Sequence, residues 1–95
     1  MLVQMIQQDI QRGVPSVVNL CPIAQALLRM GYYCAVSLYT ATIWKSDDSQ
    51  ERAFRLPPRA SRFILRFDEG KQVQPITFVM QEEAMPWPLT GEEKL

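Results

Sequence analysis

The stretch Leu56-Pro57-Pro58-Arg59-Ala60-Ser61-Arg62-Phe63-Ile64-Leu65-Arg66-Phe67-Asp68-Glu69-Gly70-Lys71-Gln72-Val73-Gln74-Pro75-Ile76-Thr77-Phe78 decides the fold. Pro57 and Pro58 set the chain extended and then open a helix, because proline fixes φ and lacks the N–H that a first helical turn leaves unpaired. Ala60, Phe63, Ile64 and Phe67 recur at three- and four-residue spacings and share one helical face, with Arg59, Arg62 and Arg66 on the other. Gly70 ends the helix, and Val73 to Met80 reads as a final strand in which Ile76, Phe78 and Met80 alternate. The segment therefore predicts a helix laid on a sheet with its arginines facing out.

Working upstream, Glu51 to Leu56 reads as a strand with Ala53 or Phe54 inward, and Lys45 to Gln50 as a polar turn. Tyr33 to Trp44 is rich in β-branched and aromatic residues and predicts a strand or two. Ile43 falls out of phase with Val36 and Leu38, which suggests a bulge, a bend or a strand buried on both faces. Pro22 suits the first position of a second helix running through Ile23 to Met30 and ending at Gly31, with Cys21 at its cap. Ile23, Leu27 and Met30 form its apolar stripe. Val14 to Leu20 is a loop, Gln7 to Arg12 one or two helical turns stopped by Gly13, and Leu2 to Ile6 a short strand with Val3 and Met5 on one side. The sum is an α+β domain over residues 1–80: roughly four strands in a mostly antiparallel sheet against two principal helices. Residues 81–95, acidic and interrupted by Pro86 and Pro88 around Trp87, read as a flexible tail.

Ninety-five residues make one small domain, and 47% apolar with 21% charged residues is the composition of a globular chain. Net charge is zero, which argues against binding nucleic acid or membranes through bulk charge. The charge is unevenly placed. Residues 45–71 are mildly basic, whereas residues 72–95 set Lys94 against Glu82, Glu83, Glu92 and Glu93. The two regions either screen one another or the acidic end aids solubility, and the second is the simpler expectation. No apolar run has the length of a membrane span, and the first residues lack the basic and apolar regions of a secretory signal. A cytoplasmic chain with Cys21 and Cys34 reduced and buried is expected, without cofactor.

Chemistry finds little to work with. The chain has no histidine, the commonest general base and nitrogen ligand. Two isolated cysteines do not make a zinc site, four dispersed glycines make no phosphate loop, and Ser16, Ser37 and Ser61 lack a nucleophile elbow. Cys21 at a helix N-terminus reads either as a reactive thiol or as a small buried cap, and no base or resolving thiol supports the first. Asp47, Asp48 and Glu51 have no metal-ligand spacing, and Asp68-Glu69, acids at a helix end, hint at a nearby cation or an arginine, or only at a solvated face. No enzyme is expected. The candidate interaction surface is Arg59, Arg62 and Arg66 with Arg52 and Arg55 on the preceding strand, together with Trp87. That surface suits an acidic protein or a phosphate, and its bland alternative is a solvated helix face.

The segments Asp9-Ile10…Gly13, Cys21-Pro-Ile-Ala-Gln-Ala-Leu27 and Leu56-Pro-Pro…Phe63-Ile…Arg66-Phe-Asp-Glu-Gly-Lys…Pro75-Ile-Thr-Phe78 resemble a group of small uncharacterised proteins of bacteriophages, prophages and some bacterial genomes. The resemblance covers most of residues 3–80. It implies a small intracellular protein of phage or mobile DNA and carries over no catalytic residue. By association it suggests an inhibitor or modulator of a host protein, including host defence. Partners expected on these grounds are a host or phage protein, or nucleic acid through the arginines, and not a membrane. A homodimer through an edge strand or the tail is a further candidate.

Overall fold

A computed structural model describes residues 1–45 and 50–83. Its elements in order are β1 (Leu2–Gln4), α1 (Gln7–Arg12), α2 (Pro22–Arg29), β2 (Tyr33–Val36), β3 (Thr40–Trp44), β4 (Arg52–Arg55), α3 (Pro58–Asp68), β5 (Thr77–Val79) and β6 (Gln81–Glu83). The α+β class stands. A four-stranded antiparallel sheet runs β2-β3-β4-β6, and a two-stranded antiparallel sheet pairs β1 with β5.

The phase switch between Val36 and Ile43 is a hairpin. Strands β2 and β3 pair Val36 with Ala41, and the turn between them closes by Ser37 N–H donating to Thr40 O at 2.8 Å. The Ser37 and Thr40 hydroxyls sit 2.7 Å apart across it. Register then sorts the residues by face, since cross-strand partners point the same way. Cys34, Val36, Ala41, Ile43 and Phe54 share the inner face and are buried with Ile23 and Leu27 of α2 and Ala60 and Phe63 of α3. Burial of these apolar side chains is the main force holding the layers together. Both Ala53 and Phe54 of β4 are buried, so the choice between them dissolves.

Two predicted boundaries move. The last strand begins at Thr77 rather than Val73, because Pro75 has no N–H to donate to a ladder. It also runs on past Met80: Gln81–Glu83, assigned from sequence to the tail, form β6 against β4. Met80 joins the two sheets. Its backbone N–H donates to Met1 O at 2.9 Å, and the Met1 ammonium donates to Met80 O at 2.8 Å. Residues 84–95, the rest of the predicted tail, lie outside the described residues.

Met30 leaves the predicted stripe of α2. The helix ends at Arg29, so Met30 caps it and is exposed, while Ala24 and Ala26 are wholly buried beside Ile23 and Leu27. Gly31 turns the chain at φ +100, the left-handed region glycine tolerates. Gly13 has another role. Its φ of −67 suits any residue, but a Cβ there would lie 2.6 Å from Pro22 Cδ, so the start of α2 sits directly on its backbone.

One buried charge fastens the N-terminal elements. Asp9 is 3% exposed, accepts from the Ile6 N–H at 2.9 Å, and takes a two-pronged bond from Arg29 at 3.2 and 2.7 Å. The same guanidinium donates to Gln4 O at 2.9 Å, so β1, α1 and α2 meet at one ion pair. Bidentate arginine–carboxylate geometry is the strong form of such a contact.

A groove between the hairpin tip and the arginine helix

The predicted arginines fall into two groups. Arg52 donates to both oxygens of Glu82, at 3.1 and 2.9 Å, and stacks over the Phe54 ring at 5.2 Å. Arg55 donates to Glu83 at 2.6 Å. These are diagonal pairs across β4 and β6, each on its own face of the sheet. The Arg52 guanidinium holds the Glu82 carboxyl below its usual range, and Glu82 in turn raises Arg52. The expectation that the acidic end serves only solubility is therefore corrected. Its first two acids neutralise two of the five arginines.

Arg59, Arg62 and Arg66 form the other group, exposed on α3, and none makes an ion pair with a described residue. Arg66 reaches only Gln72 O, at 3.4 Å. Their helix is an unusual place for them. Its first turn contains no acidic residue and its cap is Pro57, so Arg59 adds positive charge at the positive end of the helix dipole.

Beside these arginines the hairpin tip leans against α3. Ser61 Oγ donates to Leu38 O at 2.7 Å, and Leu56 N–H donates to Tyr39 O at 2.9 Å. The tip is held by its carbonyls; the Tyr39 side chain is exposed and Leu38 half-buried. Between tip and helix lies an open groove of about 440 Å³. Leu38, Leu56, Leu65 and Pro58 give it apolar walls, with Tyr39, Arg55 and Arg62 at its rim. Tyr39 is 67% exposed and Leu65 is 48% exposed. A second hollow of about 260 Å³ shares Leu38 and Leu65 and continues to Val17, Val18 and Cys21.

Asp68 borders that second hollow and accepts the Ser16 N–H at 2.9 Å. Ser16 has φ +61, so the acid at the helix end secures a strained turn of the 14–20 loop rather than a cation. Glu69 pairs with Lys71 at 3.1 Å.

Both cysteines are buried and unbridged. Burial pushes the Cys21 thiol up and the Cys34 thiol up to about 12, the opposite of what a reactive thiolate needs. Among the described residues no group of three or more acidic or cysteine side chains could hold a metal ion. Asp47, Asp48 and Trp87, weighed from sequence, lie outside the described residues. No described helix is long and apolar enough to cross a membrane.

The sequence pointed to Arg55 and Arg62 at the site but not to Leu38, Tyr39 or Leu65. One signal was present. Leu65 interrupts the arginine stripe at three residues from Arg62, an apolar side chain on a face otherwise made for water. Comparison of the chain with protein-family models, characterised proteins and solved structures finds no match.

Proposed function

We propose that this chain is a small non-enzymatic protein-interaction module. In the setting the sequence resemblance implies, a phage or mobile element, it binds a host protein and inhibits or modulates it. The observation that carries the reading is the apolar surface of exposed Tyr39 and Leu65 with half-buried Leu38, beside Arg62, which makes no ion pair among the described residues. Single exposed apolar side chains are normal on a monomer, whereas a concave, contiguous set is the mark of a contact site.

A photo-crosslinking side chain at Tyr39, in cells that make the full chain, tests it. The expected result is one defined adduct, absent when the same group replaces Gln8 on α1, which packs on α2. Equal labelling from both positions would contradict the reading.

A second reading rests on Arg59, Arg62 and Arg66, which are free of described carboxylates and suit a phosphate backbone. Retention on DNA or RNA that falls steeply with salt would favour it.

A further inference from the structure

We propose that the groove between the hairpin tip and α3 takes an acidic segment of another protein, one that inserts a bulky apolar side chain between carboxylates. The inference rests on the interaction reading above and names the partner's chemistry. The groove walls are apolar, and among the described residues none that lines them is acidic. At about 440 Å³ the space suits one large side chain with its flanking backbone rather than a whole helix. An apolar anchor on Leu65 and Leu38 would bury surface now open to water.

Charge sets the orientation. Arg55 at the rim already holds Glu83 at 2.6 Å, so its need for an anion is met. Arg62 at the rim and Arg59 a turn earlier have no such partner among the described residues, and Arg59 stands at the positive end of the α3 dipole. Positive charge at that end destabilises the helix unless an anion arrives. At the far end, beyond Leu65, Asp68 would repel a carboxylate. The segment therefore places its acids toward Pro58, Arg59 and Arg62 and its apolar side chain over Leu65.

Fluorescence polarisation with the full chain tests this, using a synthetic peptide with tryptophan flanked by glutamates. Its controls are a Gln-for-Glu analogue and an Ala-for-Trp analogue. The glutamate peptide is expected to bind roughly tenfold or more tightly than either control. Arg62→Glu and Leu65→Ala, both at exposed positions, are each expected to weaken it about tenfold with an unchanged circular dichroism spectrum. Equal binding of the Gln analogue overturns the acidic specificity while leaving an interaction groove in place. Binding that survives both Arg62→Glu and Leu65→Ala overturns the groove itself, and so does no binding at all. A single-stranded oligonucleotide that binds more tightly than the peptide and loses affinity in Arg62→Glu overturns the proposal in favour of nucleic acid. Tighter peptide binding in Trp87→Ala overturns it in favour of the chain's own 84–95 segment as occupant.

Discussion

Replacing Asp9 tests whether one ion pair ties β1, α1 and α2 together. Three bonds end on its carboxylate, from the Ile6 N–H and from two nitrogens of Arg29. A capping bond to a helix-start N–H contributes about 1 kcal/mol. A hydrogen bond to a charged group contributes about 1.5–3 kcal/mol, toward the lower end here because Arg29 is 40% exposed and partly screened. Asp9→Asn keeps an oxygen for Ile6 and gives up the charge, so a loss of about 1.5–2 kcal/mol is expected. Asp9→Ala gives up both, for about 2.5–3 kcal/mol. Against the roughly 5–14 kcal/mol that a chain of this length commands, that is a large fraction. At about 4–8 °C per kcal/mol, Asp9→Ala lowers Tm by about 10–24 °C. Urea denaturation of Asp9→Ala, Arg29→Ala and the double variant gives the coupling energy of the pair, expected at about 1.5–2 kcal/mol. A coupling below about 0.5 kcal/mol would refute the reasoning, since the two side chains would then be neighbours without being partners.

Further outcomes follow from other contacts. Gly13→Ala is expected to cost about 1–3 kcal/mol by chemical denaturation despite its ordinary φ, because the new methyl meets Pro22 at 2.6 Å. Gly31→Ala meets nothing within 4 Å and is strained only by its φ of +100, for about 1 kcal/mol. Native Cys21 and Cys34 are expected to react with a thiol reagent at pH 8 far more slowly than in the unfolded chain, since burial raises both thiols and shrinks the thiolate fraction; equal rates would contradict the burial. The Glu82 carboxyl is lowered by Arg52, so its contribution to stability is present above the unfolded carboxyl pKa and fades as pH falls through the folded one. A carbon-detected titration should place the Glu82 midpoint below that of the same carboxyl in Arg52→Gln, and coincident midpoints would remove the pair.

Local signals in the chain foretold local structure. Pro22, Pro58, Gly31 and Gly70 stand where helices open and close, and the spacing of Ala60, Phe63, Ile64 and Phe67 named the inner side of α3. What stayed hidden was long-range. The Asp9–Arg29 pair joins residues 20 apart in sequence, and periodicity within either helix is silent about it. Strand β6 reads as tail because Gln81 and two glutamates, with no apolar side chain, compose it; what makes it a strand is its antiparallel pairing with β4 and the diagonal ion pairs to Arg52 and Arg55. The candidate site was half legible for the same reason. A helical wheel shows Arg59, Arg62 and Arg66, but the groove exists only where the Leu38–Tyr39 turn meets that helix, a contact made through backbone carbonyls that every sequence possesses.

Amide chemical-shift mapping of the isotope-labelled full chain, titrated with the glutamate–tryptophan peptide, tests most directly whether the groove is the surface that meets a partner. The predicted result is a set of shifts centred on Leu38, Tyr39, Ser61, Arg62 and Leu65, saturating together. Shifts centred instead on Tyr33 and Trp44 at the far end of the hairpin, or on α1, would contradict it.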